Sequence, residues 1–441
     1  MALKEYKFFV NGEWRASSTG EVVDDLNPYT GQVFARVHLA SAADVDAAIG
    51  AAHAAAKGWG ERLAYEREAI LCKAADIVER RAKEIAQVLV DEGGNVWRKA
   101  MFECFYTAST LRLAAGQARE VRGETMPSDS PNVLSMTFRR PLGVVAGISP
   151  FNAPLLLSGK KLAPALAAGN AFVLKPSPYT PASCLLFAEI FEEAGLPPGV
   201  LNVIPTSLEA LGDKFFSDPR VRLVTFTGSA ATGRRLSAEA GKHQKRIVLE
   251  LGGKSPLAVC ADADLDYAVD AAAFGIFFNQ GQVCMANSRV IVEAPIYDEF
   301  CRRFVEKVRA VRAGDPNDPQ TAVGPLIDPK QCAFVRGHVD DALAKGARLL
   351  AGGSYEGAMF EPTALADVTP AMRVYGEESF GPLTSVLRAR DFDDLVALAN
   401  DTAYGLSAGI VTNDLQKAFA FALRVESGAV HINDSSFDDD P

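Results

Sequence analysis

The stretch GVVAGISPFNAPLLLSGKKLAPALAAGNAFVLKPSPYTPASCLLFAEIFEEAGLPPGVLNVIP, residues 143–205, decides the fold class. Three short apolar runs, GVVAGI, NAFVLKP and LNVIP, are typical of buried strands. Two longer segments between them, PLLLSGKKLAPALAAG and TPASCLLFAEIFEEAG, have helical patterns, and the second ends at Gly195. Strands that alternate with helices of about 10–15 residues form βαβ units, so we expect a parallel sheet covered by helices.

The same alternation continues on both sides of this stretch. Downstream, LEALGDKFFS and SAATGRRLSAEA are predicted helices, whereas LVTFTG and KRIVLELGG are predicted strands. A second α/β stretch runs from Asp264 to Val430, and its predicted helices are 264–281, 296–312, 329–345, 392–400 and 414–424. Upstream, short strands with a turn at Asn11-Gly12 precede predicted helices at 42–58, capped by Ser41, at 62–92 and at 95–118. The sequence predicts an α/β protein with two doubly wound domains.

The segment from Glu120 to Arg140 does not follow this pattern. Gly, Pro, Asp and Ser separate two strand-like runs, EVRG and VLSMTFRR. We expect a protruding β-hairpin, a shape that often makes subunit contacts.

Composition narrows the possible partners. The net charge of −10 is offset by no basic tract, which argues against a nucleic-acid partner. The N-terminus lacks the apolar core of a signal peptide, and no apolar run is long enough to span a bilayer, so we expect a cytoplasmic protein with no membrane partner. The seven cysteines form no CxxC motif, which predicts free thiols and no metal site.

Six short motifs carry the chemistry. They are ISPFNAP (148–154), VLKPS (173–177), FTGSAATG (226–233), LELGGKSP (249–256), FNQGQVCMANSR (278–289) and EESFGP (377–382). In content, order and spacing these motifs resemble those of the aldehyde dehydrogenase superfamily, and the resemblance covers nearly the whole chain. It implies an enzyme that oxidises an aldehyde to a carboxylic acid with NAD or NADP.

The resemblance assigns roles to four residues that would be unremarkable alone. In isolation, Cys284 would be a buried structural cysteine, Asn152 a turn residue, Glu250 a loop charge and Lys161 a helix-face lysine. In the family, the matching thiol is the nucleophile, the asparagine stabilises the oxyanion together with the backbone N–H of the cysteine, the glutamate is the general base and the lysine assists proton relay. Family members that transfer the acyl group to coenzyme A generally lack an acid at the position of Glu250, so the resemblance implies hydrolysis.

The cofactor segments are assigned in the same way, because the chain contains no GxGxxG motif. Gly228 lies at the tight point of a strand-to-helix turn, and Ser229 at the helix start is expected to bind pyrophosphate. The resemblance places Lys175 on the adenine ribose and Glu378 on the nicotinamide ribose, with Phe380 packed nearby. The other positions that match the family's cofactor contacts are Ser149, Phe151, Ser177, Pro178, Gly212, Phe226, Thr232 and Leu251.

Three departures from the family pattern affect the interpretation. Pro178 stands where NAD-preferring members often have glutamate, which leaves NAD versus NADP open. Thr206-Ser207-Leu208 replaces a Gly-rich pattern on the adenine side. The chain ends at HINDSSFDDDP, where family members usually continue with a Pro-Phe-Gly-Gly-type segment and a last strand, so we expect that either the chain is truncated or the sequence is partial.

The resemblance also implies a domain plan. We expect a Rossmann-like cofactor-binding domain from residues 1–120 and 141–250 and a catalytic domain from residues 251–430. Residues 121–140 together with 431–441 are expected to form an oligomerisation arm that builds a homodimer or homotetramer.

The sequence gives less information on the substrate. Phe151 and Met285 flank the expected thiol site and indicate apolar walls, and no arginine beside the motifs is placed to hold a second carboxylate. The segments GVVAGISPFNAP and VHINDSS resemble bacterial members that act on benzaldehyde, salicylaldehyde or vanillin. Two other functions remain open: a thiol hydrolase or esterase that uses Cys284 without a redox step, and a non-catalytic binding or structural protein.

Overall fold

The structure is a computed structural model that describes residues 3–437. The chain divides into two compact units, each described here by itself. Unit 1 consists of Met1–Asn27, Gly31–Gly93 and Ala100–Glu250, and unit 2 of Pro28–Thr30, Gly94–Lys99 and Leu251–Pro441.

Unit 1 contains a seven-stranded sheet in the order β12-β11-β8-β9-β10-β2-β3. The first five strands in this order are parallel, and the hairpin of β2 and β3 extends the sheet in antiparallel fashion. A separate three-stranded sheet has the order β1-β5-β4. The strands of unit 1 are β1 (Lys4–Tyr6), β2 (Phe8–Val10), β3 (Glu13–Arg15), β4 (Val22–Leu26), β5 (Val33–His38), β6 (Thr125–Met126), β7 (Ser135–Met136), β8 (Val144–Ile148), β9 (Ala171–Lys175), β10 (Leu201–Val203), β11 (Val221–Thr227) and β12 (Arg246–Glu250).

Helices cover this sheet. They are α1 (Ala42–Gly60), α2 (Ala64–Arg80), α3 (Ala82–Gly93), α4 (Trp97–Gln117, which begins in unit 2), α5 (Pro154–Ala167), α6 (Pro181–Ala194), α7 (Leu208–Leu211), α8 (Lys214–Ser217) and α9 (Ala230–Lys242), and a 3₁₀ turn at Ala118–Glu120 follows α4. Ser41 caps α1 as predicted, and its partner in the capping box is Asp44.

Two predicted helices are wrong as single elements. The helix predicted at 62–92 is broken at Arg81, which leaves helical geometry with φ −94° and ψ 9°. The apolar periodicity runs through this break because both α2 and α3 bury one face. The segment 208–217 forms two four-residue helices instead of one, since Gly212 between them adopts φ +52°.

The predicted hairpin between Glu120 and Arg140 is present but shorter than expected. Strands β6 and β7 pair antiparallel over two residues each, with Thr125 opposite Met136. The run EVRG is not a strand; it lies before β6. Few side chains pack on this hairpin, which leaves Leu134 and Phe138 exposed.

Unit 2 contains a second seven-stranded sheet, in the order β15-β18-β19-β14-β13-β20-β21, with only β15 antiparallel to its neighbour. Its strands are β13 (Pro256–Val259), β14 (Arg289–Glu293), β15 (Arg348–Ala351), β16 (Tyr355–Glu356), β17 (Met359–Phe360), β18 (Thr363–Ala366), β19 (Leu383–Ala389), β20 (Ser407–Val411) and β21 (Ala429–Ile432), of which β16 and β17 form a separate pair. Its helices are α10 (Leu265–Phe277), α11 (Tyr297–Ala310), α12 (Pro329–Ala344), α13 (Arg373–Gly376), α14 (Phe392–Asn400) and α15 (Leu415–Arg424), with 3₁₀ turns at Phe278–Gly281 and Ala294–Ile296.

The helix predicted at 264–281 ends four residues early. α10 stops at Phe277 because Asn279 and Gln280 adopt positive φ angles of 49° and 57°. The following residues, up to the start of β14, are irregular. Apolar clusters cover both faces of the sheet in unit 2, which explains why its strands are nearly continuous apolar runs.

The predicted α/β class with two doubly wound sheets is confirmed. The exact domain boundaries remain a prediction, and residues 438–441 of the expected arm lie outside the described residues. Among residues 3–437, no helix combines the length and apolarity that a membrane crossing requires.

Candidate active site

In unit 1, the predicted site residues gather at the carboxyl edge of the parallel strands. Ile148 at the end of β8 pairs with Lys175 at the end of β9, and Thr227 at the end of β11 pairs with Glu250 at the end of β12. Phe226 in β11 pairs with Ile148 in β8, which connects the strand pair β8–β9 to the strand pair β11–β12. In open α/β sheets, ligands bind at this edge.

The segment after β8 leads directly to Asn152, which is buried. The backbone N–H of Ser149 donates to the carbonyl O of Lys175 at 3.1 Å, and its hydroxyl lies 2.6 Å from that of Ser158 in α5. Phe151 contacts the ring of Tyr179 edge to face at 5.7 Å between centroids. Asn152 therefore sits in a segment whose two ends are fixed by hydrogen bonding and packing.

Lys161 and Glu250 belong to one electrostatic group. The buried ammonium of Lys161 donates to Oγ1 of Thr227, the residue that pairs with Glu250. Burial lowers the pKa of Lys161 to about 8, and the nearby Glu250 carboxylate opposes this shift. The structure thus places Lys161, predicted as a relay residue, close to the predicted base.

The turn between β11 and α9 has the geometry predicted from FTGSAATG. The Gly228 N–H donates to the carbonyl O of Glu250 at 3.0 Å, and a Cβ on Gly228 would lie 2.5 Å from the Phe226 ring. Ser229 caps α9, and its hydroxyl oxygen accepts from the Thr232 N–H at 3.3 Å. The positive end of the α9 dipole points toward this turn, which suits an anion.

Lys175 is the second buried amine at this edge. Its Nζ donates to the carbonyl O of Pro176 at 2.9 Å, and burial lowers its pKa to about 8. Ser177 is buried and its hydroxyl accepts from Tyr179 N–H at 3.2 Å, whereas Pro178 is exposed. Gly212 ends α7, where its positive φ gives a backbone reason for glycine.

In unit 2, the pair Gly252-Gly253 brings two predicted site residues together. The N–H of Gly253 donates to Oε1 of Glu378 at 3.1 Å, and a Cβ on Gly252 would lie 2.2 Å from Oε2 of the same carboxylate. A Cβ on Gly253 would lie 2.1 Å from the carbonyl O of Cys284. Glycine is required at position 253 because a backbone carbonyl approaches too closely for any side chain, whereas a side chain at position 252 would displace the Glu378 carboxylate. Leu251, just before the pair, is half-buried.

The loop that carries Cys284 is held on both sides. On the N-terminal side, the Gln280 side chain donates to the carbonyl O of Gly94 at 2.9 Å and of Pro325 at 3.1 Å. On the C-terminal side, the Ser436 hydroxyl donates to the carbonyl O of Met285. The thiol itself is half-buried.

The other cysteines are poorly suited to nucleophilic chemistry. Burial raises the pKa of Cys184, Cys260 and Cys332 to about 12, and it also raises the pKa of Cys72 and Cys301. A thiol with a raised pKa holds little thiolate at neutral pH. Cys104 is buried and donates to a backbone carbonyl.

Three contributors to these sites were not found from the sequence. Thr227 lies within the motif FTGSAATG but was assigned no role. Its position at the end of a strand is the feature from which a role could have been predicted. Gln331 in α12 donates to the carbonyl oxygens of Ser379 and Phe380, and His338 in the same helix contacts Ser379. Helical periodicity assigns such residues to a buried face but cannot show which loop that face meets.

The residues present suit a dinucleotide. In unit 1, the N-terminus of α9 suits a pyrophosphate and the Lys175 amine suits ribose hydroxyls. In unit 2, taken by itself, the Glu378 carboxylate beside Gly252 and Gly253 suits a ribose. Phe380 in unit 2 adopts a positive φ of 50°, a conformation rare for a bulky residue and common at functional sites.

Comparisons with known proteins identify the family. The profile described as the aldehyde dehydrogenase family matches residues 14–441. A vanillin dehydrogenase from Pseudomonas fluorescens is 42% identical over 98% of this chain and 90% of its own length. A benzaldehyde dehydrogenase from Bacillus subtilis (strain 168) is 41% identical over 99% of this chain and 90% of its own length.

A solved structure gives the same result for the fold. The salicylaldehyde dehydrogenase from Pseudomonas putida G7, complexed with salicylaldehyde, superimposes with a TM-score of 0.97 at 37% identity, over 99% of this chain and 91% of that one. The family match and these identities bear out the resemblance drawn from the six motifs. The chain belongs to the aldehyde dehydrogenase family and is an NAD(P)-dependent oxidoreductase of aldehydes.

Proposed function

We propose that this enzyme oxidises an aromatic aldehyde to the free carboxylic acid through a thioester on Cys284. The observation that carries the proposal is the glycine pair in unit 2, which seats the Cys284 backbone and the Glu378 carboxylate side by side. A thiol that attacks the substrate and a carboxylate suited to a ribose then belong to one small structural group.

The first step is addition of the Cys284 thiolate to the aldehyde carbon, which forms a C–S bond and leaves the negative charge on oxygen. Sulfur is a strong nucleophile even when only a small fraction is ionised. The side-chain amide of Asn152 donates a hydrogen bond to this oxyanion, and the backbone N–H of Cys284 donates a second one. Each such donor contributes roughly 10²–10³ in rate when it is preorganised, and the fixed ends of the Asn152 segment provide that preorganisation.

Bound NAD(P)⁺ supplies the acceptor for the hydride that leaves the tetrahedral carbon. The chain's part is to hold the dinucleotide: Ser229 and the α9 N-terminus at the pyrophosphate, Lys175 at the adenine ribose and Glu378 at the nicotinamide ribose. The remaining expected contacts are the residues assigned above from the family segments. Pro178 puts no carboxylate at the position that would repel a 2′-phosphate, so NADP is accepted alongside NAD.

Hydrolysis of the thioester is assigned to Glu250. Its carboxylate takes a proton from water, the resulting hydroxide attacks the acyl carbon and the thiolate of Cys284 leaves. General bases typically contribute about 10²–10⁴-fold. Lys161, with a pKa near 8, exchanges a proton readily at neutral pH and passes the proton onward through Thr227.

An aromatic substrate is supported by an aromatic group linked to the loop that carries Cys284. Phe274, Phe278 and Phe437 form a triad with ring centroids 5.2–5.6 Å apart in tilted and edge-on geometry. Phe437 follows Ser436, which bonds to the carbonyl of Met285. Similar vanillin, benzaldehyde and salicylaldehyde dehydrogenases are named for aromatic aldehydes.

The test is a panel of benzaldehyde, vanillin, salicylaldehyde, hexanal and succinic semialdehyde, each with NAD⁺ and with NADP⁺, followed by absorbance at the reduced nicotinamide band. We expect kcat/KM for the best aromatic aldehyde to exceed that for hexanal at least tenfold. Higher kcat/KM for the aliphatic aldehydes would refute the substrate class. Absence of dinucleotide reduction with every aldehyde of the panel would contradict the proposed oxidation.

We also propose that the β6–β7 hairpin joins subunits of a homodimer or homotetramer. Val133, Leu134, Met136 and Phe138 expose apolar surface on this hairpin. Contiguous exposed apolar surface marks interaction sites. Light scattering of the double variant Leu134→Asp, Phe138→Asp tests this, and an unchanged oligomer mass would refute it.

A further inference from the structure

The segment that carries Glu378 lies against helix α12 in unit 2. Gln331, in the first turn of α12, donates its side-chain amide to the carbonyl O of Ser379 at 2.9 Å and of Phe380 at 3.0 Å. His338, two turns further along the helix, faces the same segment, and its side chain has no exposed surface. Helix α12 therefore holds the backbone around Glu378.

The His338 imidazole contacts the residues on both sides of Glu378. Its Nδ1 lies 3.0 Å from Oγ of Ser379, and its Nε2 lies 3.2 Å from Oε2 of Glu377. Glu377 is also paired with Arg373 at 3.0 Å. One buried ring thus links the preceding and the following residue of Glu378 to a single helix.

The partners fix the direction of both hydrogen bonds. Arg373 and His338 lower the pKa of Glu377, so its carboxylate is ionised and can only accept. Nε2 of His338 therefore carries the proton and donates it to Glu377. Nδ1 is left as an acceptor, and the Ser379 hydroxyl donates to it.

The imidazole stays neutral at neutral pH. Burial lowers the pKa of His338 to about 4, and the Lys254 ammonium acts in the same direction. A neutral ring with one donor and one acceptor matches its two partners, and no other tautomer satisfies both.

We infer that His338 is a positioning residue that aims the Glu378 carboxylate at the nicotinamide ribose by fixing Ser379 and Glu377. This inference rests on the proposed cofactor role of Glu378. Within residues 3–437, the Glu378 side chain accepts a hydrogen bond from the Gly253 N–H, and this bond does not by itself fix the direction of the carboxylate. The direction of the side chain then depends on the backbone at residues 377–379, and His338 restrains that backbone through its hydrogen bonds to the side chains of Glu377 and Ser379.

The experiment compares dinucleotide affinity in the full chain by titration calorimetry. His338→Phe keeps a buried ring and removes both nitrogens. We expect it to raise the Kd of the preferred dinucleotide about tenfold, the effect of losing one or two hydrogen bonds between Glu378 and the ribose. ADP, which carries the adenosine and pyrophosphate but no nicotinamide ribose, serves as the matched ligand, and its Kd is expected to stay unchanged.

The double variant His338→Phe, Glu378→Gln shows whether His338 acts through Glu378. If it does, adding His338→Phe to Glu378→Gln leaves the dinucleotide Kd as it was in Glu378→Gln alone. A further loss of affinity in the double variant, or equal weakening of ADP and dinucleotide in His338→Phe, would overturn the inference because it would show a general structural role.

The outcomes separate this inference from the proposed function. If Glu378→Gln leaves the dinucleotide Kd unchanged, the cofactor role of Glu378 is wrong. If Glu378→Gln weakens binding but His338→Phe does not, only the positioning role is wrong. Should His338→Phe fail to fold, Ser379→Ala removes the hydroxyl that donates to the imidazole, and it is expected to raise the dinucleotide Kd about threefold to tenfold with the ADP Kd unchanged. An unchanged dinucleotide Kd in Ser379→Ala then overturns the inference.

Discussion

Oε1 of Glu103 accepts hydrogen bonds from two backbone N–H groups at the start of α5, from Leu155 at 2.9 Å and from Leu156 at 3.1 Å. The helix has no capping side chain of its own, since Ala153 stands at its N-cap. A carboxylate from α4 therefore replaces the missing cap. Asn152 is the residue immediately before this N-cap, so Glu103 holds the helix end next to the predicted oxyanion residue.

Glu103→Gln is expected to destabilise the protein by about 1–3 kcal/mol, because a buried charge-assisted bond is replaced by a weaker neutral one. Urea unfolding measures the loss. Glu61→Gln is the matched control, since Glu61 is exposed and its carboxylate lies 3.9 Å from the Lys57 ammonium. Equal stability of the two variants would show that Glu103 does not cap the helix.

Cys284→Ala is expected to abolish aldehyde oxidation while leaving dinucleotide affinity within twofold of the wild type, because the thiol forms the covalent bond with the substrate and has no proposed contact with the dinucleotide. Steady-state absorbance and titration calorimetry measure the two effects. Cys72→Ala is the control, since Cys72 is the other half-buried thiol and burial raises its pKa. Residual activity in Cys284→Ala above about 1% of the wild type would disprove the assignment.

Glu250→Gln is expected to release one equivalent of reduced dinucleotide per active site and then stall. In the proposed mechanism the base acts in hydrolysis, which loses about 10²–10⁴-fold without it, whereas acylation starts from the Cys284 thiolate. Rapid mixing measures the burst, and intact-protein mass spectrometry detects the acyl group on Cys284. Full steady-state turnover in this variant would show that another group activates the water.

The sequence predicted most of what depends on local pattern. The strand ends that carry Lys175 and Glu250 follow from apolar runs bounded by polar residues, and the cap at Ser229 follows from its place before a helix. The break at Arg81 was missed because both helices bury the same kind of face. The contacts of His338 were missed because helical periodicity does not identify the loop that a helix face meets.

Lys161 is expected to make stability depend on pH. Its native pKa of about 8 is below the ordinary 10.5, so between these values the unfolded chain binds more protons and stability rises with pH. This contribution is present above pH 10.5 and is lost as the pH falls through 8. Relative to that of Lys161→Met, the free energy of unfolding of the wild type should increase by up to about 1.4 kcal/mol for each pH unit above pH 8. Urea unfolding of both proteins at pH 7, 8 and 9 measures it, and a constant difference would contradict the assigned pKa.

Gly252→Ala is expected to weaken dinucleotide binding at least tenfold. The new Cβ would lie 2.2 Å from Oε2 of Glu378, so the carboxylate has to leave its position, and a lost charge-assisted hydrogen bond to a ribose costs about 1.5–3 kcal/mol. Gly241→Ala is the matched control, because its Cβ would meet no atom within 4 Å and alanine favours the helix α9. Calorimetric titration of both variants measures the Kd for the dinucleotide and for ADP. If Gly252→Ala binds the dinucleotide as tightly as Gly241→Ala does, the position of Glu378 against the glycine pair has no role in cofactor binding.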